Sequence, residues 1–362
     1  FYNLNFFLYA YPFHPTKSQE VRMKSLWVLF VFFIAITSCR ADNSLRIAAY
    51  GGEIPHHLIQ KFENQTGIKV YLSTFESNEN LLLKLKSSKN QIYDLITPSN
   101  YYVNRFIQFN ILEPLNVNTI KHFQDINPYF LNPKQKKTYG IPFLWGATGI
   151  FYNSAYISHP PHHWQDLWST AFYNQLLLLD DTREVFSIAL LSLGLKPNTQ
   201  NIDDLKHAYQ QLKKLGNNIK LFASDAMPSI MISEDAKLGM AWNGDFIKAQ
   251  NENPNLRFLL PSEGFILWAE CFAIPKGAKN QKNALQFIDF MLAPENAAEI
   301  TKVMKFPVTN EKAKQFLPAN LANHPYLFLS PQVLKHGIMQ QDAPEDIIKI
   351  YNAYWELMKI SL

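Results

Sequence analysis

Two long apolar runs constrain this chain more than any other feature of its sequence. Ile141-Pro142-Phe143-Leu144-Trp145-Gly146-Ala147-Thr148-Gly149-Ile150-Phe151-Tyr152 carries no charge, and Gly264-Phe265-Ile266-Leu267-Trp268 through Ala273-Ile274-Pro275 carries only Glu270. Glycine, proline, β-branched and aromatic residues in this mixture read as extended chain, buried on both faces. Ahead of the first run, Leu45–Ala49, Ile68–Leu72 and Tyr93–Ile96 read as strands. A helix lies in each gap, one carrying Leu58, Ile59 and Phe62 and stopped by Gly67, the other capped by Ser77 and carrying Leu81, Leu82, Leu83 and Leu85. Strand, helix, strand, helix, strand argues for a parallel sheet with helices on both faces. A second α/β series follows: a strand Leu176–Leu179, a helix from about Glu184, a helix around 202–215 and a strand Leu238–Trp242. Helices at about 281–292, 295–304 and 345–358 complete the chain. Two α/β units joined by two extended crossings is the arrangement of a hinged, two-lobe protein.

Size and composition agree. At 362 residues the chain exceeds what one core of ordinary size holds. A hydrophobic share of 47% excludes a disordered or low-complexity protein. The formal net charge of +4 is small, and no stretch gathers Lys and Arg into a phosphate-tracking stripe, so nucleic acid is not an expected partner. Two cysteines exclude a disulfide framework and a four-cysteine zinc ribbon. Cys271, within Cys271-Phe272-Ala273-Ile274, reads as a small buried hydrophobe.

The amino-terminal part reads as export machinery. Met23-Lys24 precedes an apolar run from Leu26 to Ile36, too short to span a bilayer but typical of a secretory signal. The run ends in Ile36-Thr37-Ser38-Cys39, which has the form of a bacterial lipobox with Cys39 as the lipidation candidate; ordinary cleavage after Ala41 is the competing reading. Residues 23–41 are thus expected to be signal peptide or lipobox. Residues 1–22 are expected to be translated leader, because Gln19-Glu20-Val21 can be encoded by a ribosome-binding sequence ahead of the Met23 codon. The expected location is the periplasm, with Cys39 offering a membrane anchor.

No P-loop, Gly-x-Gly-x-x-Gly, Gly-x-Ser-x-Gly or His-Glu-x-x-His motif is present, and no nucleophile–base pair can be assembled, so an enzyme is not expected. His56-His57 and His162-His163 are adjacent pairs whose side chains point apart, so neither metal nor other cofactor is expected. Aromatic and acidic residues do gather at element ends: Ser99-Asn100-Tyr101-Tyr102 after a strand, Asp180-Asp181-Thr182-Arg183-Glu184 at a helix start, Trp242-Asn243-Gly244-Asp245 after another strand, and Trp268-Ala269-Glu270 in a crossing run. Carboxyl ends of strands line the ligand crevice in open α/β sheets. An acid at a helix start also has a structural explanation, as cap and dipole partner, and for Asp180 alone that explanation suffices. Ring faces with carboxylates suit an organic cation: rings attract ammonium groups by about 0.5–2 kcal/mol each and cover the alkyl stem. Desolvated carboxylates hold the charged ends.

These residues resemble the periplasmic spermidine/putrescine-binding proteins of bacterial ABC transporters. The resemblance spans about 45 to 358 and rests on ordered stretches that include Thr66-Gly67-Ile68-Lys69-Val70, Phe75-Glu76-Ser77-Asn78-Glu79, Pro98-Ser99-Asn100-Tyr101-Tyr102-Val103, Trp145-Gly146-Ala147-Thr148, Trp164-Gln165-Asp166-Leu167-Trp168, Asp180-Asp181-Thr182-Arg183-Glu184-Val185-Phe186 and Trp242-Asn243-Gly244. It implies a type II periplasmic-binding-protein-like α/β fold, each lobe a mainly parallel sheet flanked by helices. The implied lobes are 45–145 with about 270–318, and about 146–269 with about 319–362. It further implies a monomer that takes a polyamine between closing lobes and delivers it to an ABC permease in the inner membrane. The implied ligand contacts are Ser99, Tyr101, Asp181, Glu184, Trp242, Trp268 and Gln340. Glu270 stands at a position where the family usually has Asp, Asp245 where putrescine-type members carry an acid, and Ser224 on the wall of the second lobe.

One stretch departs from the family. Tyr50-Gly51-Gly52-Glu53 puts Tyr50 in place of a Trp, Gly51 in place of a hydroxyl residue and Glu53 in place of a Tyr, which adds Tyr50 and Glu53 to the candidate site. This departure motivates one alternative to the transport receptor, a receptor for another organic cation; the other, a polyamine sensor for a membrane signalling receptor, uses the same fold without coupling to transport.

Overall fold

A computed structural model describes residues 43–88, 92–131 and 137–360. The expectations for the leader, the signal segment and Cys39 lie outside these residues. Ser44–Leu362 forms one compact unit of the chain.

Its first sheet is all parallel, in the order β2-β1-β3: β1 (Ser44–Tyr50) is central, between β2 (Lys69–Phe75) and β3 (Leu95–Ile96). Alternation along β1 decides its packing. Leu45, Ile47 and Ala49 join the large core with Phe62 and Phe287, while Ala48 joins a smaller one with Leu81, Leu85, Phe106 and Cys271. Helix α1 (His56–Thr66) ends at Gly67, whose φ of 70° suits glycine and whose N–H reaches the Glu63 carbonyl. Helix α2 (Asn78–Ser87) is capped by Ser77, whose Oγ accepts from the Asn80 N–H at 3.2 Å. Leu81, Leu82 and Leu85 turn inward, whereas Leu83 falls on the outer face. Helix α3 (Asn100–Gln108) follows β3 directly.

The second sheet runs β10-β9-β4-β7-β5-β6, with β8 also paired to β4. Its strands are β4 (Ile141–Asn153), β5 (Leu176–Leu178), β6 (Ile219–Phe222), β7 (Leu238–Trp242), β8 (Leu256–Leu259), β9 (Phe265–Phe272) and β10 (Gly337–Met339). The two apolar runs are β4 and β9. They pair antiparallel, from Ile141 opposite Phe272 to Thr148 opposite Ile266. β9 continues to the first sheet: Ala273 bridges Ile96, and Glu270 bridges Ser99. The sheet is consequently mixed rather than mainly parallel. β5 pairs parallel with β6 and β7, and β9 with β10, but β4 meets β7, β8 and β9 antiparallel because the chain traverses the molecule in opposite directions in its two crossings.

Helices α4 (Thr182–Ser192), α5 (Ile202–Leu215), the short α6 (Met227–Ile232) and α7 (Asn243–Glu252) accompany this sheet. Helices α8 (Gln281–Leu292) and α9 (Pro294–Met304) return to the first sheet, where Phe62 meets Phe287 and Phe290 edge-on at 5.0 and 5.2 Å. The last helix, α10 (Glu345–Ile360), lies against α4 and α5, with Tyr351 edge-on to Phe186 at 5.2 Å. No helix among the described residues is long and apolar enough to cross a membrane.

Candidate functional site

Four acids and four aromatic side chains meet where the carboxyl ends of β1, β3, β5 and β7 face the crossing strand β9. The first acid pair is Asp181 and Glu184, at the start of α4. Asp181 caps this helix, its Oδ1 accepting from the Glu184 N–H at 2.9 Å. Capping thus falls to Asp181 and not to Asp180, which is exposed and ion-paired with Lys359. Glu184 is 2% exposed. Its Oε1 accepts from Thr148 Oγ1 on β4 at 3.0 Å and from Trp242 Nε1 at the end of β7 at 3.4 Å. Burial, and then the charge of Asp181, push its pKa up to about 8. Burial likewise raises that of Asp181.

The second pair is Glu53 and Glu270. Glu53 follows the Gly51-Gly52 turn after β1; its Oε2 accepts from Thr97 Oγ1 at 2.7 Å and from the Tyr50 N–H at 3.3 Å. Glu270 Oε1 accepts from Ser99 Oγ at 3.0 Å. Burial raises both, Glu53 to about 8 and Glu270 well above the usual carboxylate range, and each charge bears on this shared pocket, Glu53 acting directly on Glu270. Asn78 at the start of α2 braces the corner by donating to Ser99 Oγ at 2.9 Å and accepting from the Ser99 N–H at 3.1 Å.

Rings connect the pairs. Trp268 and Glu270, two apart on β9, project from the same face. Trp268 lies edge-on to Trp242 at 6.0 Å. Tyr101, on α3, is near enough to Asp181 and Glu270 for both charges to raise its hydroxyl pKa, and Tyr50 feels Glu270 and Tyr101 in the same way, burial being the larger cause in each. Gln340 closes the ring: its N–H donates to the Leu267 carbonyl at 2.8 Å, and its own carbonyl accepts from Asn100 Nδ2 at 3.2 Å. A cavity of about 1690 Å³ opens beside the cluster and shares Asn100, Tyr101 and Gln340 with it.

The structure therefore brings together Tyr50, Glu53, Ser99, Tyr101, Asp181, Glu184, Trp242, Trp268, Glu270 and Gln340. Two expected residues sit apart. Ser224 Oγ accepts from the Asp180 N–H at 3.1 Å and so holds the turn into α4, while Asp245 is ion-paired with Lys248 at 2.9 Å. Asn78, Thr97, Asn100 and Thr148 were not anticipated. Only Thr148 carries a signal in the sequence, as a polar residue inside the apolar run 141–152; Asn78, Thr97 and Asn100 stand among other polar residues.

Buried carboxyls ordinarily face a cation or spend every lone pair on donors. Here Glu184 Oε2, Glu270 Oε2, Trp268 Nε1 and Gln340 Nε2 are buried without a hydrogen-bond partner. Arg183 moderates Asp181 and Glu184 through its charge, but its Nη2 donates to the Gln341 carbonyl. The arrangement is built to receive positive charge at two ends and an apolar, polarisable surface between them. No group of three or more His, Cys, Asp or Glu side chains among the described residues could hold a metal ion.

Comparisons with known proteins show the family. The bacterial extracellular solute-binding protein family matches residues 57–328. The spermidine/putrescine-binding periplasmic protein of Salmonella typhimurium is 37% identical over 309 residues, covering 84% of this chain and 88% of that protein. Its Escherichia coli counterpart is 34% identical over 331 residues, covering 90% and 95%. The crystal structure of the spermidine/putrescine ABC transporter substrate-binding protein of Streptococcus pneumoniae superposes with a TM-score of 0.78 at 32% identity, covering 88% of this chain and 99% of that one. The two-lobe fold and the sequence together make the chain a member of the bacterial extracellular solute-binding protein family.

Proposed function

We propose that this protein captures a polyamine, spermidine or putrescine, between two closing lobes and delivers it to the permease of an ABC importer. The observation that carries this reading is the pairing of Asp181 with Glu184 and of Glu53 with Glu270 at two ends of one aromatic cluster, each pair holding a buried carboxylate oxygen without a donor. An ammonium group at each end would supply those donors, and Trp242, Trp268 and Tyr101 would cover the methylenes between. The names of the relatives support the same reading. The lobes are taken as 45–145 with about 270–318, and about 146–269 with about 319–362. This division is supported by the packing of α8 on β1 and α1, by the Lys61–Asn296 hydrogen bond between α1 and α9, and by the packing of α10 on α4 and α5. Export to the periplasm, retention there through a lipid on Cys39 and action as a monomer belong to the same proposal.

Thermal denaturation of the purified protein with putrescine, spermidine, arginine and sodium chloride tests it. A saturable rise in melting temperature with either polyamine, absent with salt, is the expected result; equal and unsaturable effects from all four would remove the reading. A second reading, a receptor for another organic cation, is favoured by one observation. Glu53 adds a buried carboxyl beside Glu270 and Tyr50, which suits a more highly charged or more polar cationic head than a primary ammonium.

A further inference from the structure

Arg183 stands between Asp181 and Glu184 in the first turn of α4, where a cation meets the positive end of the helix dipole. Its side chain turns instead to the last helix and to the segment that carries Gln340. The guanidinium lies over the Tyr351 ring of α10, 4.9 Å from its centroid, and Nη2 donates to the Gln341 carbonyl at 3.0 Å. Asn198 holds the same segment, donating to the Met339 carbonyl at 3.0 Å and accepting from the Gln341 N–H at 3.1 Å. From the other side α3 holds it: Asn100 donates to the Gln340 carbonyl, and Arg105 pairs with Asp342 and donates to the Ala343 carbonyl. Gln340 Nε2 is itself buried without a partner, so the backbone that carries this amide sets its aim. Burial raises the carboxyl pKa of Asp181, Glu184 and Asp342, and the Arg183 charge opposes the rise in all three. One guanidinium therefore bears both on the acid pair and on the segment that presents Gln340.

We infer that Arg183 is a positioning residue: by gripping the Gln341 carbonyl it aims the Gln340 side chain at the ligand held by Asp181 and Glu184. This deepens, and rests on, the polyamine reading. Two effects of opposite sign meet in this one side chain. As a charge near the acid pair, Arg183 repels an arriving ammonium, and its loss would strengthen binding. As a grip on the segment, it keeps Gln340 in place, and its loss would weaken binding. The grip is the larger effect, because the guanidinium is partly exposed and its repulsion is screened, while the amide that it aims is buried.

Calorimetric titration with putrescine and spermidine, on the wild-type protein, Arg183→Met, Gln340→Ala and the double variant, tests the inference. Arg183→Met is expected to weaken binding about tenfold, the worth of one hydrogen bond to a charged group. In the Gln340→Ala background the same substitution should leave affinity unchanged or raise it slightly, since only the effect of the charge remains. Arg183→Lys keeps the charge and loses the planar fork, so its affinity should fall between wild type and Arg183→Met. Should Arg183→Met fail to fold, Arg183→Lys with and without Gln340→Ala gives the same comparison, a loss confined to the protein that retains Gln340 being the expected result. Equal or tighter binding by folded Arg183→Met, or an equal loss in both backgrounds, overturns the positioning role while leaving polyamine capture standing. A wild-type protein that binds neither ligand overturns both.

Discussion

Ser99 Oγ donates to Glu270 Oε1 at 3.0 Å, and this one bond ties the start of α3 to the crossing strand β9. Asn78 fixes the other side of Ser99, so the hydroxyl has one orientation and Glu270 is left with a single free oxygen. The remaining Oε2 is buried next to Glu53 and Trp268's face of the strand. A carboxyl held so rigidly loses little freedom when a cation arrives, which is how a small cluster gains affinity without additional area.

Asp181 has two tasks, capping α4 and presenting charge, and one substitution separates them. Asn caps a helix about as well as Asp. Asp181→Asn should therefore leave the melting temperature of the ligand-free protein nearly unchanged while weakening polyamine binding by roughly 2–5 kcal/mol, as when one partner of a buried charge pair is removed. Thermal melts and calorimetry on the same sample give both numbers. Unchanged affinity would take Asp181 out of the site.

Trp242→Ala removes a ring that lies against Trp268 and donates to Glu184. Affinity is expected to fall by about 1–3 kcal/mol from the lost cation–π and packing contacts. The variant should still unfold cooperatively, because Trp242 is only partly buried. A stable variant with wild-type affinity would count against the aromatic wall.

Gly146→Ala tests the other wall from a distance. A Cβ at Gly146 would meet the Trp268 ring at 2.2 Å, so the indole must move. The expected results are a shifted tryptophan emission and a destabilisation of about 1–3 kcal/mol, typical of overpacking. Polyamine affinity should fall with them. A variant indistinguishable from wild type in all three respects would mean that Trp268 has room the packing does not show.

The raised carboxyls set the pH behaviour. Glu53 and Glu184, ordinarily near 4.5 and here about 8, bind protons in the folded protein over a range where the unfolded chain has released them. Their stabilising contribution is present in full below about 4.5 and is lost as pH rises toward and through 8. Ligand-free stability should accordingly decline over that window. A cation favours the ionised carboxyls, so affinity should rise from pH 6 to pH 8 and binding should release protons. Calorimetry in two buffers of different ionisation enthalpy measures the release. Proton uptake on binding would reverse the account.

Arg105, on α3, makes a 3.0 Å ion pair with Asp342 and donates to the Ala343 carbonyl. Both charged side chains are largely buried, and the bonds fix the segment that presents Gln340. Arg105→Met takes the ion-pair partner from Asp342 and leaves it only the more distant charge of Arg183, an effect of up to about 3–5 kcal/mol where a buried pair is broken. A lower melting temperature and weaker ligand binding are expected together. A normal melting temperature would mean that the pair carries no load.

Much of this was legible in the sequence because the signals were local. Gly67 and Ser77 end and begin helices as their chemistry dictates, and the helix at 202–215 has caps and an apolar stripe of full length. Other elements were hidden by their length or composition. β10 is Gly337–Met339, and β8 is Leu256–Leu259, both too short for alternation to register. α7 opens on Asn243-Gly244, poor helix formers that give no signal of a helix start. The antiparallel set of β4 was equally hidden, since strand direction depends on the path between elements. At the site, carboxylates and rings at strand ends were readable. The pairing of Glu53 with Glu270 was not, because it depends on two segments distant in sequence meeting at Thr97 and Ser99.

The central claim is that two carboxylate pairs and an aromatic wall hold a polyamine. Isothermal titration calorimetry of the purified protein with putrescine, spermidine and spermine tests it most directly. The account predicts stoichiometric binding of at least one of them at micromolar or tighter affinity, abolished or strongly weakened in Asp181→Asn. Absence of binding to all three by a folded protein, or binding that Asp181→Asn leaves intact, would contradict it.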